Sequence, residues 1–146
     1  MRFTLLAAIV MLSQATMAQT TVPINVERAK VNYRLNCQGC HLADGSGLPG
    51  VVPTMKGLVG NFLKVPGGRD FLVQVPGSAF SPLSDADLAE LLNWILATMS
   101  DEHKAPDFEP YTEAEVQRTR RRLLADVAKT REALINSQRA TSPHLQ

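Results

Sequence analysis

Apolar and polar positions follow the 3.6-residue rhythm of a helix most clearly between residues 84 and 99. Leu88, Leu91, Leu92, Ile95, Leu96 and Met99 recur in steps of three and four and form one apolar stripe, with Trp94 at its flank. Ser84 followed by Asp85 and Asp87 supplies an N-cap and two carboxylates at the positive end of the helix dipole, so the helix is predicted to start there. A second start signal is Thr112-Glu113-Ala114-Glu115, a T-x-x-E capping box. It predicts one long helix to about Asn136, with Val116, Leu123, Leu124, Val127, Leu134 and Ile135 near one side and Arg118, Arg121, Arg122 and Lys129 mostly elsewhere. Between Pro23 and Asn36, Ile24, Val26, Ala29, Val31, Tyr33 and Leu35 mix helical and alternating spacing, and periodicity alone assigns neither.

Residues 42–84 are rich in glycine and proline, which excludes long helices and a sheet and leaves room for short helical turns at Leu58 to Lys64 and Arg69 to Gln74. A stretch this long without its own regular structure needs something to organise it. Cys37-Gln38-Gly39-Cys40-His41, just upstream, supplies a candidate. C-x-x-C-H is the attachment run of a c-type haem. Its two thiols can each add to a vinyl group of one porphyrin, and the adjacent imidazole can bind the iron. Cys37 and Cys40 are the expected thioether anchors and His41 the expected proximal ligand.

Other chemistries fit the run less well. Zinc would need further paired ligands, but the chain has two cysteines, and His103 and His144 stand far away. A thioredoxin-like pair would need a βαβ pattern, and none is visible. A Cys37–Cys40 disulfide would close a very short loop and stabilise little.

The ends and the charge refine the picture. Arg2, the apolar run Leu5 to Leu12 and Thr16-Met17-Ala18 read as a signal peptide over residues 1–18, too short in its apolar part to span a bilayer. No other run is long enough for a membrane span, so none is expected in the mature form. The remainder divides into residues 19–111, one domain, and 112–146, a helical extension whose end from Ala140 reads as disordered. Residues 19–112 carry seven basic and ten acidic side chains, whereas 113–146 carry seven and four, so an acidic body meets a basic tail. That balance in an exported chain argues against nucleic acid as a partner.

The chain resembles the class I (mono-haem) cytochrome c family over roughly residues 24 to 99. An aromatic stands four residues before the first cysteine, here Tyr33, and a proline twelve residues after the histidine, here Pro53. Met55, Gly57, Leu58, Val59 and Gly60 keep the spacing of apolar residues and glycines that follows that proline in the family. The resemblance implies an all-α cytochrome c fold around one covalent haem c, a helix leading into Cys37, and packing of Tyr33 on Trp94. It also implies a hydrogen bond from His41 Nδ1 to the Pro53 carbonyl.

The departure concerns the sixth ligand. Relatives of the mitochondrial type place a methionine three residues beyond a Pro-Gly pair, whereas Pro76-Gly77-Ser78-Ala79-Phe80 puts Phe80 there. Met55, Met99 and His103 are the remaining candidates, and an open or water-bound iron, or a ligand from a partner, is the leading expectation. Pro53, Met55 and Phe80 complete the expected haem contacts. The resemblance implies single-electron transfer in the periplasm between a dehydrogenase and another redox protein, with no substrate bond broken. The alternatives are an open haem that binds a small ligand or acts as a peroxidase or sensor, for which Arg69 is the only distal arginine, and a fixed haem subunit of a dehydrogenase complex, which the tail favours.

Overall fold

The computed structural model describes residues 24–100 and 108–141; the signal-peptide assignment and His103 lie outside them. Among the described residues six α-helices follow one another: α1 (Val26–Asn36), α2 (Gly68–Gln74), α3 (Pro76–Ala79), α4 (Asp85–Met99), α5 (Glu113–Arg120) and α6 (Val127–Thr141), with a 3-10 helix at Val59–Lys64 before α2. Among the described residues there is no strand, only an isolated antiparallel bridge between Leu48 and Val52. The fold is all-α.

The ambiguous stretch at residues 24–36 is a helix because a cap and a partner both favour it. The Asn25 side chain accepts from the Arg28 N–H at 3.0 Å and begins α1. Ala29 and Tyr33, one turn apart, are buried toward α4. The Tyr33 and Trp94 rings meet at 5.5 Å between centroids, tilted by 55°. Beside them Glu90, fully buried, accepts from Arg28 at 2.7 and 3.0 Å and from the Asn25 N–H at 2.6 Å. In α4 the Ser84 hydroxyl accepts from the Asp87 N–H at 3.1 Å, the cap its sequence announced.

The tail departs from expectation. In place of one helix from Thr112 to Asn136 there are two, separated at residues 121–126. The second has its own cap: Asp126 accepts from the Lys129 N–H at 2.9 Å. Ala140 and Thr141, read as part of a disordered end, still belong to α6.

Thr112 does cap α5, accepting from the Glu115 N–H at 3.2 Å. Glu115 does not close the reciprocal half of the box, because its carboxylate is bound to Arg69 at 2.5 and 2.7 Å. Asn93 of α4 pairs with the Tyr111 backbone in both directions, at 3.0 and 2.6 Å, and the Tyr111 hydroxyl donates to the Arg69 carbonyl at 2.7 Å. Tyr111 and Val116 are wholly buried in the same core as α4. Arg120 reaches the 79–85 segment, donating to the Ala79 carbonyl at 3.0 Å, the Leu83 carbonyl at 2.8 Å, the Ser81 carbonyl and Asp85 at 3.1 Å.

Two consequences can be measured. Arg120→Ala leaves three carbonyls and Asp85 without their donor and should cost about 3 kcal/mol in denaturant unfolding; a change within error would show that water replaces the guanidinium.

Burial alone would push the Glu90 carboxyl up, but the hydrogen bonds from Arg28 and the Asn25 N–H outweigh it and hold it below the usual carboxylate range. Stability from a depressed carboxyl is complete above the ordinary carboxylate pKa and is lost as pH falls through the lower folded value. Glu90→Gln should therefore melt below the wild type near neutral pH, with the gap narrowing in acid. Melting curves over a pH series test this, and a constant gap would contradict it.

Candidate functional site

The cysteine-histidine run is a turn built directly on the end of α1. The Cys37 and Gln38 N–H groups both donate to the Tyr33 carbonyl, at 2.8 and 3.0 Å, and those of Cys40 and His41 fold back to the Cys37 carbonyl at 3.1 and 2.9 Å. The Tyr33 hydroxyl donates to the Leu42 carbonyl at 2.6 Å and closes the loop from the far side. One aromatic side chain thus holds both the helix crossing and the exit of the motif.

Both thiols are free, Cys37 half-buried and Cys40 exposed. Burial, with a smaller contribution from Cys40, pushes the Cys37 thiol up to about 11, so it is protonated at neutral pH. Burial pushes the His41 imidazole down, which favours its neutral form, the one with a nitrogen lone pair for a metal. His41 Nδ1 is buried and has no hydrogen-bond partner among the described residues. Pro53 lines the same cavity as His41, but the expected bond between them is not made in this structure.

Cys37, Cys40 and His41 open into a cavity of about 320 Å³, the size of a small-molecule site. Phe71 and Leu72 from α2 and Leu92 and Ile95 from α4 give it an apolar wall, and Val127 and Arg131 of α6 complete it. The Gly/Pro-rich segment reaches this cavity because its loop is folded against the end of α4. Gly45, at φ +83°, could carry a side chain only under strain, and a Cβ there would meet Met99 Sδ at 2.6 Å. Its carbonyl accepts from the Met55 and Lys56 N–H groups at 2.8 and 3.1 Å.

The expected site residues divide. Cys37, Cys40, His41, Pro53 and Met55 line the cavity together. Phe80 does not: it is 69% exposed, and Val75 together with Pro76, Gly77 and Ser78 of the helical turn Pro76–Ala79 lines the cavity in its place. Met99 is buried against Gly45 and is not part of the lining, so it acts as a core residue. Arg69 does not line the cavity either. Its guanidinium is held by Glu115 and the Glu109 carbonyl and lies 4.1 Å from the centroid of the Tyr111 ring.

Sequence reasoning missed Val127 and Arg131, which a break and a new cap at Asp126 bring to the cavity. The signal for that cap was an aspartate three residues before Lys129.

An apolar cavity flanked by two free thiols in C-x-x-C-H spacing, with a buried imidazole whose Nδ1 lacks a partner, fits a covalently attached haem. Cys37 and Cys40 would hold its vinyl edge and His41 its iron. A helical fold around such a site defines a c-type haem protein.

The chain matches no family profile. It is 33% identical over 106 residues to a cytochrome c-552 of Thermus thermophilus, covering 60% of this chain and 81% of that protein. A second cytochrome c-552 of the same species, from a named strain, matches at 33% identity over 72% of its length. The chain belongs to the class I mono-haem cytochrome c family, binds haem c covalently and is an electron-transfer protein, not an enzyme.

Attachment through both cysteines has a direct test. Acid-acetone extraction should leave the colour with the wild-type protein and remove it from the Cys37→Ala, Cys40→Ala double variant. Haem freely extracted from the wild type would refute thioether attachment.

Proposed function

We propose that this chain is an exported, single-haem electron carrier of the periplasm that takes electrons from a periplasmic dehydrogenase and delivers them to another redox protein. The observation that carries the reading is the opening of Cys37, Cys40 and His41 into an apolar cavity walled by α2, α4 and α6. The single C-x-x-C-H run supports one haem, and residues 1–18 support export. Among the described residues no helix is long and apolar enough to cross a membrane.

When bound, the haem supplies one-electron exchange between ferric and ferrous iron. The chain would contribute the thiols of Cys37 and Cys40 as tether, the His41 imidazole as an iron ligand and a wall of low polarity that limits reorganisation.

On the distal side we propose that no side chain of the described residues ligates the iron. Among the described residues Met55 is the one methionine that lines the cavity. Its backbone is locked in the same loop as Pro53: its N–H donates to the Gly45 carbonyl at 2.8 Å, and its carbonyl accepts from the Leu58 and Val59 N–H groups at 3.0 and 2.9 Å. That loop is the one the family places on the proximal side.

The ferric holoprotein should lack the charge-transfer band of sulfur ligation and show high-spin character, and the ferrous form should bind carbon monoxide readily. Met55→Ala should leave the absorption spectrum unchanged. A low-spin spectrum with the sulfur band, abolished in Met55→Ala, would defeat the open-iron reading and name the ligand.

A further inference from the structure

Among the described residues, Arg131 is the only arginine or lysine that lines the cavity beside Cys37, Cys40 and His41. It also lines the neighbouring cleft formed by residues 46–54, and Pro53 and Thr54 border both spaces. It therefore stands where the apolar cavity meets a more polar opening. Among the described residues it has no carboxylate partner. Arg28, Arg69, Arg120 and Arg122 are paired with Glu90, Glu115, Asp85 and Asp70, and Arg34, Arg118, Arg121 and Arg139, which also form no ion pair among the described residues, lie outside both linings.

A cation left unpaired beside an apolar cavity is poorly compensated unless an anion occupies the space. A c-type haem brings such an anion. Its vinyl edge is fixed at the two cysteines, and its two propionates leave the opposite edge, where an apolar wall cannot solvate them. We propose that Arg131 is a haem-binding residue, its guanidinium pairing with a haem propionate at the junction of the two spaces; this rests on the covalent-haem reading. A guanidinium suits the task because its planar fork can give a carboxylate two parallel hydrogen bonds. The pairing would also make α6 part of the cofactor site, although it begins 86 residues beyond His41.

The sign of the effect follows from charge. Ferric haem carries one more positive charge than ferrous, and a cation that offsets a propionate favours the ferrous form. Losing the guanidinium should lower the midpoint potential.

The test compares wild-type holoprotein with Arg131→Gln, Arg131→Lys and Arg139→Gln, the last a charge loss on an exposed part of α6 outside both lining sets. Each is read by redox titration and by the propionate carboxylate bands of the redox-induced infrared difference spectrum. Arg131→Gln should lower the potential and shift the bands. Arg131→Lys should keep most of the potential but shift the bands, because an ammonium keeps the charge and loses the fork. Arg139→Gln should change neither.

Wild-type potential and bands in Arg131→Gln, or an equal effect of Arg139→Gln, would overturn the assignment. If the glutamine variant does not accumulate, wild-type bands in Arg131→Lys would overturn it alone. A haemochrome assay of the same samples separates the two readings: covalent haem present with Arg131 silent refutes only this pairing, whereas a wild type without covalent haem refutes both.

Discussion

Tyr33 is gripped at both ends, and that grip fixes the position of everything around it. Its ring packs on Trp94 where α1 crosses α4, and its hydroxyl holds the Leu42 carbonyl just past His41. Burial of the ring pushes the Tyr33 hydroxyl up to about 12, so it remains a neutral donor throughout the physiological range. The cysteine-histidine run hangs between these two attachments. A shift of the helix crossing would therefore displace the imidazole, which couples core packing directly to the position of His41. Glu90 secures the same crossing electrostatically by drawing the start of α1 onto α4.

The C-terminal segment follows from a different constraint. The 76–84 stretch is too short and too rich in proline, glycine and serine to bury itself, and its carbonyls at Ala79, Ser81 and Leu83 find their donor in Arg120. The basic tail meets the acidic body at named pairs, Arg120 with Asp85 and Arg122 with Asp70. One pair runs the other way, with Glu115 of the tail on Arg69 of the body. The tail's apolar side chains Val116, Val127, Leu134 and Ile135 pack on this chain's own core.

How far these features could be read from the sequence depended on the range of the interactions behind them. The stripe from Leu88 to Met99, the caps at Ser84 and Thr112 and the C-x-x-C-H run are each written within a few residues, and each appears where its local chemistry puts it. The break after Arg120 was missed because the apolar spacing continues through Leu123 and Leu124, whereas a competing cap at Asp126 and the pull of Asp70 on Arg122 decide the geometry. Glu115 was read as half of a capping box, but a partner 46 residues away claims its carboxylate. The exposure of Phe80 and the approach of Arg131 to the cavity likewise depend on contacts between segments distant in sequence.

α6 contains no fully buried residue, whereas ten residues of α4 are buried along its length. Local opening costs least where little apolar surface is sealed. The two helices that wall the same cavity therefore occupy opposite ends of the stability range. Backbone amides of α6 should therefore exchange with solvent faster than those of α4, so that one side of the cavity opens more readily than the other.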